Sequence, residues 1–275
     1  MQLSLTSWSL PACNLAECAG ISKALGIDAL DLGLFYRSAL PKAELLDAPQ
    51  ALASAVKKLG LAVPSYYHLF GDSLVDRNLA RRDSLAQNLR DMQQVLQFAD
   101  AAGIGSVFVL PGVVNPGQSR AEAFEIAAEA LSRMVALSSN HAASVSIEAH
   151  VHSLLESPTD TLAMLDRVPG LKLTLDYAHF TCLGYRQAEI DVLAPHAVHV
   201  HLRQAVSGRL QTRVAEGTIN MAAQFGTLRD AGYTGALALE YVHQAYMGTL
   251  HEDVLTETVA LRDLWRDWSQ QDGGR

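Results

Sequence analysis

Four short segments in the second half of the chain carry groups that can bind a cation and move a proton. They are SIEAH with Glu148, LTLDYAH with Asp176, HVHLRQ with His201 and LALEYV with Glu240. Side chains alternate faces along a β-strand. At 144–150, Val145 and Ile147 then share one face, and Ser146, Glu148 and His150 the other. At 171–176, Leu171, Leu173 and Leu175 oppose Lys172, Thr174 and Asp176. At 197–203, Val198, Val200 and Leu202 oppose His199, His201 and Arg203, and at 236–242 Leu237, Leu239 and Tyr241 oppose Ala238 and Glu240. Each acid taken alone reads equally well as a polar strand end, and Asp176 as a helix N-cap. Taken together, three carboxylates and one imidazole converge from four strands. Crowded carboxylates repel, and buried charge without a partner costs several kcal/mol. A divalent cation removes that conflict. Three carboxylate oxygens and one imidazole nitrogen suit Mn²⁺, Mg²⁺ or Co²⁺, with Zn²⁺ also compatible; lacking Cys, the set is not that of a structural zinc site.

Such a convergence needs parallel strands that end at one place. A unit of amphipathic helix, glycine and short apolar strand recurs through the 275 residues: ALGIDALDLGL at 24–34, KLGLAVPSYYHLF at 58–70, AAGIGSVFVLPG at 101–112, VPGLKLTLDYAHF at 168–180 and DAGYTGALALEYV at 230–242. Gly26, Gly60, Gly103, Gly170 and Gly232 stand where a helix C′ residue would be. Strands at 2–8, 143–150 and 196–204 complete a set of eight. Helices are predicted over 14–25, 41–59, 76–103, 119–139 (Ser119 as N-cap), 157–167, 186–194, 219–231 and 251–268. Eight strand–helix units in a chain of this length predict an α/β fold, a (β/α)8 TIM barrel in a single domain over 1–275, with the last residues from Asp272 frayed. An open doubly wound sheet would place a Gly-rich turn after the first strand, where Trp8 is instead followed by Ser9-Leu10-Pro11.

The composition narrows the partners. A net charge of −8 and the lack of a basic cluster argue against nucleic acid. No apolar run is long enough to cross a membrane, and no signal-peptide pattern opens the chain, so a cytoplasmic location is expected. Cys13, Cys18 and Cys182 form no CxxC pair and read as inert thiols. There is no nucleotide fingerprint and no phosphate loop, so one divalent ion and no organic cofactor is the expectation. A homo-oligomer is compatible with the composition, although no interface patch is legible.

In the four segments the chain resembles, over nearly its whole length, the xylose isomerase-like sugar isomerase/epimerase superfamily of TIM barrels. The order Glu148, Asp176, His201, Glu240 on strands five to eight is similar to that of its ketose 3-epimerase branch. The resemblance implies that these four residues bind one divalent metal, that Glu148 and Glu240 serve as acid and base on opposite faces of a carbohydrate substrate, and that His179 contacts that substrate. It also implies a substrate-binding Arg in the segment at 205–220, which holds Arg209 and Arg213. Many relatives have an Asp shortly after the strand-seven His; here the run is His201-Leu202-Arg203-Gln204.

The residues themselves permit proton abstraction next to a carbonyl, with a cation stabilising the enediolate and the two glutamates flanking the carbon. Return of the proton gives epimerisation or isomerisation. Loss of a β-hydroxyl would make the enzyme a dehydratase of the inosose or dehydroshikimate type. More remote are an endonuclease IV-like phosphodiesterase and a sugar-binding barrel without turnover. Candidate substrate contacts are His179, Arg203, Arg209, His150 at the strand-five rim, Trp8 on the inner face of strand one, and His68, placed on the inner face of strand three by parity with Ala62 and Pro64. Tyr66 follows His68. His199 reads as a neighbour supporting His201, Lys172 as a deep partner for Asp31, and Glu156 as a loop acid near the pocket.

Overall fold

Parallel strands bonded on both edges leave no open edge only if the sheet closes, and this one closes. The computed structural model describes residues 1–33 and 39–272. Its barrel strands are β1 (Gln2–Thr6), β2 (Leu30–Gly33), β3 (Ser65–Tyr67), β4 (Ser106–Val109), β5 (Ser144–Glu148), β6 (Lys172–Asp176), β7 (Ala197–Leu202) and β10 (Ala236–Leu239). They are all parallel, and β1 pairs with both β2 and β10 to shut the ring. The helices between them are α1 (Leu15–Ala24), α2 (Lys42–Asp47), α3 (Pro49–Lys57), α4 (Leu85–Ala102), α5 (Arg120–Ser138), α6 (Pro158–Arg167), α7 (Tyr177–Cys182), α8 (Gln187–Ile190), α9 (Met221–Asp230) and α10 (Val254–Asp272). Leu34 of the predicted second strand and residues 273–275 of the predicted frayed end lie outside the described residues.

The branched residues of each strand face the helices, as parity requires. Leu5, Leu32, Val107, Ile147, Leu173, Val200 and Leu237 are fully buried in that layer. The inside of the ring is small and polar. Ser106 and Ser146 share a hydrogen bond across 3.1 Å, and Ser146 and Thr174 another across 2.9 Å. Deeper in the ring Asp31 meets His199 at 2.5 Å. Local chemistry sets the helix ends. Ser119 and Ser157 accept from Glu122 N and Asp160 N to cap α5 and α6. Gly103 takes φ +80°, which lets its N–H reach back to Ala99 O and end α4.

Several elements depart from the predicted ones. The helix expected over 41–59 breaks at Ala48, because Pro49 supplies no N–H to continue α2 and opens α3 instead. The helix expected from 76 begins only at Leu85. Asn78 accepts from Ala80 N through its side chain, and Asn88 Nδ2 donates to Arg77 O, so the backbone there is engaged in loop contacts. The predicted 186–194 helix is one α turn followed by a 3₁₀ stretch, Asp191–His196, that contains Pro195. The segment at 205–220 holds an unforeseen antiparallel hairpin, β8 (Gln204–Val206) with β9 (Arg209–Thr212).

Two parity assignments fail. Lys172 is exposed at the entry of β6 and is no partner for Asp31, whose Oδ2 is taken by His199. On β3 the register is set by Ser65, opposite Ser106, so Ser65 and Tyr67 look inward. Tyr66 and His68 look out into the helix layer. Tyr66 packs its ring edge on Phe98 of α4, and its hydroxyl lies 3.2 Å from His68 Nδ1. His68 therefore loses the inner-face placement that made it a candidate substrate contact. Burial, helped by the nearby Lys42 and Arg77 charges, pushes its imidazole down to about 3. The unfolded chain takes up a proton here near pH 6.5 that the folded chain refuses. This contribution to stability is whole above pH 6.5 and is lost as the pH falls toward 3. It amounts to about 2 kcal/mol between pH 6.5 and 5. Denaturant titrations should show a drop in stability from pH 7 to 5 that is smaller by about that amount in His68→Gln. Equal drops in the two proteins would remove His68 as the cause.

Candidate active site

The strand ends place the acids. Glu148 closes β5. Asp176 closes β6 and caps α7, accepting from Ala178 N at 2.7 Å. His201 lies on β7. Glu240 follows β10, its N–H bound to Leu202 O. His201 Nδ1 sits between the two glutamates, 2.6 Å from Glu148 Oε1 and 3.4 Å from Glu240 Oε2. One donor atom from each of Glu148, Asp176, His201 and Glu240 lies within 4.8 Å of all the others, and all four side chains are buried. Asp31, His199 and His201 form a second close group, deeper in the ring and sharing His201.

Arg203 joins the site from just beyond β7. Its guanidinium is 2% exposed, and both Nε and an Nη donate to Asp176 Oδ2 at 2.9 and 2.6 Å. The same nitrogen lies 3.3 Å from Glu240 Oε2 and 2.9 Å from His179 Nε2. Trp8 donates its indole N–H to Glu240 Oε1 at 2.7 Å. That ring lies where it does because β2 ends in Gly33: a Cβ there would stand 2.6 Å from the indole. His150 packs against His179 with ring centroids 4.0 Å apart and the planes tilted by 41°, and Val151 N–H donates to His179 Nδ1.

Burial and mutual charge shape the titration of these groups. Burial, with added repulsion from Glu240 and Asp176, lifts Glu148 to about 7 against the pull of His201. Burial opposes charge on His201, but the Glu240 and Glu148 carboxylates outweigh it and raise the imidazole to about 10. Burial also raises Asp176 despite Arg203. Burial works the same way on Glu240, where Arg203, His201 and the Trp8 hydrogen bond prevail and hold it below its usual value. Burial lowers His150 to about 4 and takes His179 well below its ordinary range.

The cleft over these groups is walled by Trp8, Tyr67 and Phe108 and lined by Glu148, His150, His179, Arg203 and Glu240. Its free volume is only about 20 Å³. A wider chamber of about 520 Å³ opens beside it, sharing Leu110, His150 and Met247. Of the predicted substrate contacts, Trp8, His150, His179 and Arg203 thus meet at the cleft. Arg209 does not: it stands half-exposed on the chamber wall, held by Thr212 and Glu216. Glu156 accepts from His152 N and stays out of the pocket. Tyr67 and Phe108, stacked with centroids 4.9 Å apart, were missed. The inward serines Ser65 and Ser106, two residues before each, were the available signal.

Against this geometry, the profile of the xylose isomerase-like TIM-barrel family matches residues 20–263. The chain belongs to that family. Among solved structures, an IOLI protein with a bound zinc atom superposes with a TM-score of 0.74 at 15% identity, covering 98% of this chain and 99% of that one. An L-ribulose 3-epimerase gives 0.73 at 17%, covering 98% and 95%. A 3-keto-D-glucoside 4-epimerase from E. coli gives 0.69 at 14%, covering 94% and 98%. These likenesses establish the shared barrel. No protein of curated function matches the sequence. Among the described residues no helix is long and apolar enough to cross a membrane.

Proposed function

We propose that the chain is a divalent-metal-dependent isomerase or epimerase of a keto sugar or related polyol, working by proton transfer at the carbon next to a carbonyl. The observation that carries this reading is the set of four donors from four strands within 4.8 Å, with a glutamate on either side of the imidazole. The residues fit an ion of charge two. Three carboxylates face one guanidinium, an excess of two negative charges when the imidazole is neutral, and Glu240 Oε2 is buried without a hydrogen-bond partner. Glu148, Asp176, His201 and Glu240 would hold the ion: Mn²⁺, Mg²⁺ or Co²⁺ by donor type, or Zn²⁺, the ion in the IOLI structure. When bound, it would supply Lewis-acid polarisation of the carbonyl and stabilise the negative charge that develops there.

The protein's own groups do the rest. Glu240, its Oε1 fixed by Trp8, and Glu148, on the other side of His201, remove and return the proton from opposite sides. Arg203 and His179 orient the substrate's oxygens, and His150 closes the rim. Trp8 and Phe108 exclude water from the reacting carbon. A small carbohydrate suits this pocket and the acidic chain better than nucleic acid does, and a cytosolic setting is consistent with both. The test is solvent-deuterium incorporation into keto sugars by the purified protein. Exchange should stop on chelation and return when one of these ions is added. Exchange unaffected by chelation, or no divalent ion bound at micromolar concentrations, would overturn the reading.

A further inference from the structure

The cleft over Glu148 and Glu240 has about 20 Å³ of free volume, room for little more than one water-sized group. Only the reacting end of a substrate enters it. The rest must lie in the adjoining chamber, which shares the Leu110, His150 and Met247 wall and has the volume of an ordinary small-molecule site at about 520 Å³. That chamber is poorly suited to bare sugar hydroxyls. Among the described residues no Asp, Glu, Asn, Gln or Lys side chain lines it. Its one permanent charge, Arg209, is already held by Thr212 and Glu216. Val113, Leu183 and Leu210 are among the apolar side chains that line it instead. Of its other polar side chains, Ser153 is bonded to Leu155 and His150 Nδ1 to Val151 O, which leaves chiefly His152. A row of hydroxyls moved there from water leaves most of its hydrogen bonds unreplaced, whereas an apolar group gains by burial.

We propose that the substrate is a keto sugar carrying an alkyl or aryl group, for example through a glycosidic bond. Its carbonyl end lies at the two glutamates, and its apolar group lies against Val113, Leu183 and Leu210. This rests on the reading of the site as an isomerase or epimerase and names the substrate class for it.

The experiment measures deuterium wash-in by mass spectrometry for the metal-loaded protein. The substrates are keto-pyranosides bearing methyl or phenyl aglycones, a free ketohexose and its phosphate. The phenyl compound should exceed the methyl compound in kcat/KM by at least about tenfold, the scale of hydrophobic-pocket discrimination. Leu183→Asp, at a side chain 41% exposed and so free to accept a charge, should reduce that ratio to near unity. A ketohexose or its phosphate turned over as well as the phenyl compound would overturn the substrate class while leaving the isomerase reading intact. Absence of exchange on every compound would overturn the isomerase reading itself. A phenyl-to-methyl ratio unmoved by Leu183→Asp would remove the chamber as the binding place. A change of oligomeric state in that variant, seen by sedimentation, would assign the chamber to a second copy of the chain instead.

Discussion

Glu240→Gln should slow deuterium exchange at saturating metal by about 10²–10⁴-fold, the usual contribution of a positioned acid or base. The substitution is close to isosteric. Gln retains an oxygen to accept from the Trp8 indole, now 2.7 Å from Glu240 Oε1, and fills the same volume. What it removes is the capacity to take up a proton at Oε2, the buried oxygen that has no hydrogen bond. Loss of a negative charge also weakens the hold on the ion. Metal affinity must therefore be measured by titration calorimetry in the same variant, and exchange compared only where both proteins are loaded. Glu148→Gln should behave alike, because Glu148 touches His201 from the other side at 2.6 Å. A loaded Glu240→Gln protein within tenfold of the parent would take Glu240 out of the reaction.

Arg203→Met should destabilise the ion-free protein by about 3–5 kcal/mol, the usual cost of stranding one partner of a buried pair. Arg203 makes two hydrogen bonds to Asp176 Oδ2 and also approaches Glu240. Without it, three buried carboxylates face only an imidazole. With a divalent ion bound, two positive charges stand at the same place and the penalty shrinks. Urea unfolding with chelator and with saturating ion should show a stability gain from the metal that is larger in the variant than in the parent. An equal gain in both would mean that the guanidinium and the ion do not share the same carboxylates.

The legible parts of the site and the hidden ones differ in backbone regularity. Glu148 and Asp176 end β5 and β6, and His201 lies on β7 beyond the register shift between Ala197 and His199, in stretches where a period of two fixes each side chain's direction, while Glu240 directly follows β10. Parity carried through His199 and His201 also put Arg203 inside. β3 has three residues and is preceded by Pro64, so counting from Ala62 across the proline gave the wrong face and misplaced His68 and Tyr66. The barrel itself was legible from the recurring helix–glycine–strand unit. The outer chamber was not, because loops such as 74–75, 112–113 and 151–153 assemble it, and nothing local in their residues says that they meet. The hairpin of β8 and β9 was hidden for the same reason: its turn at Ser207-Gly208 was read as part of a long loop.

The Trp8–Glu240 hydrogen bond spans 232 positions of sequence and crosses the seam where β1 meets β10. A half-formed barrel could already carry Glu148, Asp176 and His201 in place. It could not yet hold Glu240 in its working pose, because the indole that aims this acid arrives only when the ring shuts. Contacts of such long range form late and slowly. During refolding, recovery of turnover should therefore trail recovery of helical circular dichroism and coincide with burial of the Trp8 indole.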